Sequence, residues 1–99
     1  MSDPLFRTVT VRNPQGLHAR PADSLVEIAK QYESTILIGK NGDLVDCKSI
    51  LSLLTLGATQ GTELRLSANG ADAALALQSI AELFEAGFHE ADETNHTNS

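Results

Sequence analysis

Tryptophan is absent from the 99-residue sequence, tyrosine, methionine and cysteine occur once each, and aromatic residues make up only 4% of the chain. The interior must therefore be aliphatic, and an apolar content of 41% is enough to seal one small core. A single cysteine, Cys47, can form no internal disulfide, as expected in a reducing compartment. Basic residues are scarce as well. Seven Lys and Arg stand against thirteen Asp and Glu, a net charge of −6, and they are scattered, so a phosphate-backbone patch and a nucleic-acid partner are excluded. Long hydrophobic runs are missing: the stretch from Ile50 to Ala58 is interrupted by Ser52, Thr55 and Gly57 and is far short of the ~20 residues a bilayer span requires. Met1-Ser2-Asp3-Pro4 lacks the basic and apolar regions of a secretory signal. The expectation is a cytoplasmic, single-domain protein with no membrane partner.

Periodicity sets out the elements. Thr8-Val9-Thr10-Val11-Arg12 alternates polar and apolar side chains as a half-buried strand does, and Asn13-Pro14-Gln15-Gly16 ends it. Ala22, Leu25, Val26, Ala29 and Tyr32 then recur three and four apart, one face of a helix that starts near His18. Thr35-Ile36-Leu37-Ile38 predicts a strand, Asn41-Gly42 a hairpin turn, and Leu44-Val45-Asp46-Cys47 its return. A short second helix follows, with Ser49 suited to its N-cap and Gly57 to its stop. Thr62 to Ala68 alternates again, and Ala71 to Phe88 carries Ala73, Leu77, Ile80, Ala81, Phe84 and Phe88 on one helical face. The order β-α-β-β-α-β-α, with strands dry on one side, predicts an α+β fold: an antiparallel sheet with all three helices on the dry face. Residues 1–88 would form the domain. His89 to Ser99, polar and acidic, would be a solvated, disordered tail lying away from the functional face.

Chemistry concentrates in Gly16-Leu17-His18-Ala19-Arg20-Pro21. Pro21 fits only the first turn of a helix, which puts His18 at or just before the N-cap, on a loop eased by Gly16. There the backbone N–H groups of Ala19 and Arg20 and the positive end of the helix dipole favour an anion, and the planar guanidinium of Arg20 suits phosphoryl oxygens. A neutral imidazole at this point can attack phosphorus and leave a dianionic group facing ready donors.

Gly16-Leu17-His18-Ala19-Arg20-Pro21-Ala22, Lys48-Ser49-Ile50 and Leu56-Gly57-Ala58-Thr59-Gln60-Gly61-Thr62, in this order and spacing, resemble HPr, the histidine-containing phosphocarrier family of the sugar phosphotransferase system, over residues 5 to 88. The resemblance implies an open-faced β-sandwich of four antiparallel strands and three helices. It implies that His18 takes a phosphoryl group on Nδ1 from enzyme I, with phosphoenolpyruvate as ultimate donor, and passes it to a IIA unit, while Arg20 stabilises the group in transit. It also implies a regulatory site at Ser49 for an ATP-dependent kinase found in some lineages, and a docking surface for enzyme I and IIA beside the histidine. No cofactor follows from it, and a monomer is expected. Gln15 departs from the short polar residue common in the family, which bears only on side-chain bonds around the loop.

Helix two cannot bury all of its large side chains, so Ile50, Leu51 and Leu54 are the expected docking patch, while Leu53 and Leu56 would face the core. Arg20 and Lys48 would give the transfer face its positive charge. Cys47 reads as a packed hydrophobe, His89 and His96 have no metal-ligand spacing, and Asp43, Asp46, Glu82 and Glu85 read as turn and helix-surface charges. The leading expectation is a carrier rather than a free-standing enzyme. A phosphatase or mutase is disfavoured because no second acid–base residue stands near His18 in the sequence. A regulatory adaptor of a nitrogen- or carbon-control branch is the alternative, since Ala86-Gly87-Phe88 is similar to the ending of the nitrogen-related paralogues.

Overall fold

A computed structural model describes residues 3–90. Four strands, β1 (Leu5–Thr10), β2 (Thr35–Lys40), β3 (Asp43–Asp46) and β4 (Glu63–Asn69), and three helices, α1 (Ala19–Ala29), α2 (Ile50–Thr55) and α3 (Ala73–Glu85), follow in the order β1-α1-β2-β3-α2-β4-α3, and a 3₁₀ turn covers Gly87–His89. The sheet order is β1-β4-β2-β3, and every pairing is antiparallel. Lys40 pairs with Asp43, so the β2–β3 hairpin closes through Asn41 and Gly42 alone, both at positive φ (48° and 91°) as such a loop demands.

The pleat carries Val9, Ile36, Ile38, Leu64 and Leu66 to one face, where they are buried. Onto that face α1 lays Pro21, Ala22, Leu25, Val26 and Ala29, and α3 lays Ala76, Leu77, Ile80, Ala81 and Phe84. Removing each large aliphatic side chain from water is worth about 1.5–3 kcal/mol, and this two-layer burial holds the fold together. The opposite face is open. There the Arg65 guanidinium lies 4.2 Å from the centre of the half-exposed Phe6 ring, a cation–π contact that covers part of the aromatic surface.

Two boundaries differ from the sequence expectation. Strand β1 begins at Leu5 and stops at Thr10, because Val11 leaves the ladder to exchange backbone hydrogen bonds with Thr62 O (2.9 Å) and Gly61 N (2.8 Å). Helix α3 ends at Glu85 rather than running to Phe88, and the chain then passes through three consecutive left-handed residues: Gly87 (φ 62°), Phe88 (55°) and His89 (62°). Such a run costs an L-residue roughly 1–2 kcal/mol at each non-glycine position. Burial of Phe88, whose ring packs edge-on to Phe84 at 4.9 Å, offsets it. The turn redirects the chain so that Glu90 folds back onto the domain, which corrects the expectation that everything from His89 onward is solvated tail. Residues 91–99 of that expected tail lie outside the described residues.

A second clamp ties the helical layer to the loops. Instead of capping its own helix, the Asp72 carboxylate accepts hydrogen bonds from the backbone N–H of Glu33 (2.9 Å) and Ser34 (3.0 Å) and from the Ser34 hydroxyl, joining the α1–β2 turn to the start of α3. The Ser34 hydroxyl first, and then the Glu33 amide, hold this carboxyl below its ordinary value of 3.8.

Candidate phosphoryl-transfer site

The loop from Asn13 to His18 is fixed by its backbone. Gly16 N donates to Asn13 O at 3.1 Å, Leu17 N to Ala58 O at 2.9 Å and His18 N to Gly16 O at 3.0 Å, while the Leu17 side chain is buried. Gly16 sits at φ 74°, and a Cβ there would stand 2.4 Å from Ala58 O, so glycine is required on both conformational and steric grounds. His18 is the N-cap of α1, with extended backbone (φ −86°, ψ −168°) and a carbonyl that accepts from Ala22 N at 2.9 Å. Ala19, Arg20 and Pro21 form the first turn, ahead of that first intrahelical donor. The amides of Ala19 and Arg20 thus lie at the positive end of the helix, as expected, and Pro21 occupies a position where its missing N–H breaks no bond.

The His18 side chain does not cap the helix. Its Nε2 lies 3.0 Å from Glu90 Oε2 and 3.3 Å from Oε1. The side chain of Glu90 is 14% exposed, whereas that of His18 is 37% exposed, so the ring keeps an accessible edge while its far nitrogen is held. Asn13 completes the group. Only 1% exposed, it donates from Nδ2 to Gly16 O (2.7 Å) and to Glu90 Oε1 (3.0 Å), so one amide joins the loop that carries the histidine to the residue that holds it. Turning the amide over would set its oxygen against a carbonyl and a carboxylate, which fixes its orientation although Oδ1 finds no partner among the described residues.

Neither Asn13 nor Glu90 is found by reading the sequence for chemistry. The sequence argument that no second titratable group stands near His18 is corrected by Glu90, 72 residues further on. Its carboxylate meets the ring at Nε2, the orientation of a group that steers an imidazole, as opposed to one that exchanges protons with a substrate.

The other expected residues divide. Ser49 is the N-cap of α2, its Oγ accepting from Ser52 N at 3.2 Å. Leu51 is 74% exposed and Leu54 38%, while Ile50 is half-buried against the core and so contributes only an edge to the expected patch; Leu53 is buried, and half-buried Leu56 packs against the core as well. Lys48 is not beside Arg20: its Nζ donates to Tyr32 O at 2.7 Å, just past the C-terminal end of α1. The 11 residues of α1 put about 16 Å between its ends, so these two cations, expected on one transfer face, stand near opposite ends of the helix. The Lys48 ammonium thus ties the start of α2 to the chain that follows α1. Cys47 is fully buried, and burial above all, with Asp46 adding to it, pushes its thiol up to about 12. Glu82 accepts from Gln78 Nε2 on the exposed side of α3. His96 lies outside the described residues.

Residues 6–86 match the family described as the PTS HPr component phosphorylation site. The chain is 39% identical over 86 residues to the phosphocarrier protein HPr of Xylella fastidiosa, spanning 87% of this chain and 97% of that one. It is 35% identical over 85 residues to the phosphocarrier protein NPr of Klebsiella oxytoca, spanning 85% and 94%. Its fold superposes on the crystal structure of HPr-C-His from Thermoanaerobacter tengcongensis with a TM-score of 0.82 at 36% identity, covering 86% of this chain and 96% of that one. Placed beside a histidine at a helix N-cap with an arginine in the first turn, these matches show that the chain belongs to the HPr/NPr phosphocarrier family of the phosphotransferase system.

Proposed function

We propose that this protein carries a phosphoryl group on His18 in the cytoplasm, as a monomer, accepting it from phosphorylated enzyme I, with phosphoenolpyruvate as ultimate donor, and passing it to a IIA domain. The observation that supports this most is the placement of His18 at the N-cap of α1, with its backbone fixed and its ring partly exposed, at a helix end that favours an anion. In this reading Arg20, in the first turn, binds the oxygens of the group in transit, and Leu51 and Leu54 with the edge of Ile50 meet the partners. Ser49 is a phosphorylation site for an ATP-dependent kinase. A phosphate there would exchange a neutral cap for a dianion close to the docking leucines and oppose an acidic partner.

A second reading, a regulatory carrier of a nitrogen- or carbon-control branch, is favoured by the similarity to the NPr protein. Incubation with enzyme I and phosphoenolpyruvate tests the first. It should give an acid-labile, base-stable phosphate that His18→Ala abolishes and that a sugar-permease IIA removes. Labelling that persists without His18 refutes the assignment, and a phosphate that only a IIA of a regulatory branch discharges supports the second reading.

A further inference from the structure

Three left-handed residues in succession, two of them not glycine, are an expensive way to end a domain, and what they achieve is to set one carboxylate against Nε2 of His18. We infer that Glu90 is a positioning residue for phosphoryl transfer: it accepts a hydrogen bond from Nε2–H, which selects the ring tautomer whose lone pair is on Nδ1, and it balances the positive charge the ring acquires when Nδ1 is phosphorylated. The inference rests on the carrier role proposed above and assigns to this chain's own residues the choice of reacting nitrogen.

The chemistry balances without any further reactant. The donor is a phosphorylated histidine of another protein. The Nδ1 lone pair of His18 forms the new N–P bond as the donor's N–P bond breaks, and the electron pair of that bond returns to the donor's ring. The proton on Nε2 stays where it is, so the phosphorylated ring of His18 is a cation until it passes the group on. A carboxylate oxygen 3.0 Å from Nε2 stabilises the cation and, when the group is passed on, keeps the ring a good leaving group. Asn13 holds Oε1 of Glu90 while also bonding Gly16 O, so the carboxylate and the loop bearing His18 move together. Burial of Phe88 anchors the left-handed turn that delivers the residue. The part-buried setting of the pair makes the bond less open to water and salt than a surface ion pair.

The test uses the full-length protein labelled with ¹⁵N-histidine. Spectra of the unphosphorylated form with a neutral ring should show His18 in a single tautomer, protonated on Nε2, and in Glu90→Ala the ring should relax toward the mixture of free histidine. Phosphoryl transfer from enzyme I should slow about tenfold in Glu90→Ala, the scale on which residues that orient an imidazole act. Glu90→Gln, which keeps an acceptor without the charge, should fall between. A wild-type ring protonated on Nδ1, or Glu90→Ala transferring at the wild-type rate, overturns the inference. The spectrum needs no donor, so its failure is distinct from a wild type that takes no phosphate at all, which would sink the carrier role and this inference with it.

Discussion

Gly16→Ala is the most informative single methyl group that can be added to this protein. At φ 74° an alanine costs roughly 1–2 kcal/mol relative to glycine. Its Cβ would also lie 2.4 Å from Ala58 O and 3.0 Å from Thr59 Cα, where ordinary contact needs about 3.5 Å, so the loop must retreat by roughly 1 Å. Retreat breaks the bond from Leu17 N to Ala58 O, worth about 1 kcal/mol net. The sum is about 2–3 kcal/mol, which for a domain of this size lowers the melting temperature by roughly 10–20 °C. His18 is two residues away, with its amide bonded to Gly16 O, and a shift of about 1 Å at a reacting group can cost on the order of 10²-fold in rate. Urea titration gives the stability, and transfer from phosphorylated enzyme I at a temperature where the variant is fully folded gives the rate. A folded Gly16→Ala protein that transfers at the wild-type rate would refute the claim that this loop places the histidine.

Three further outcomes follow from other parts of the molecule. Cys47, buried and with its thiol pushed up to about 12, should resist alkylation at pH 8 in the native protein and react promptly in denaturant; fast native labelling would show that the segment just after β3 opens far more readily than its packing implies. Asp72, whose carboxyl is held low in the folded state, contributes stability that is fully present above its unfolded value and is lost as pH falls through the folded one. The stability gap between wild type and Asp72→Asn should therefore be constant above about pH 5 and shrink below about pH 4, and a gap independent of pH in denaturation curves would contradict the clamp. Leu51→Ala, at a side chain 74% exposed, should leave the melting temperature unchanged and weaken binding to enzyme I severalfold in calorimetry; unchanged affinity would remove Leu51 from the docking surface.

What could be read in the sequence was local. His18, Arg20 and Pro21 lie within one turn of each other, so the rule that bars proline from a helix interior was enough to place the histidine at an N-cap. Ser49 and the Asn41-Gly42 turn were legible for the same reason, and the alternating strands and three-four spaced helices gave the sheet its dry face. The contacts that hold the ring were hidden because they join positions 72 and 77 residues apart in sequence. They also depend on a backbone excursion that helical periodicity disguises: Phe88 continues the apolar spacing of α3 while sitting in a left-handed turn outside it. Gly87 was the available signal, since a glycine after a helix marks a C′ position and ends the periodic reading there. Lys48 misled for a similar reason. Its charge suggests the transfer face, but its ammonium reaches the Tyr32 carbonyl just past the far end of α1.

The most direct measurement is a ³¹P spectrum of the ¹⁵N-histidine-labelled protein after phosphorylation by enzyme I and phosphoenolpyruvate. The expected result is one phosphorus signal split by coupling to Nδ1 of His18, with Nε2 of the same ring still bearing its proton against Glu90. Phosphorus coupled to Nε2 of His18, or to a nitrogen of His89 or His96, would contradict the account at its centre.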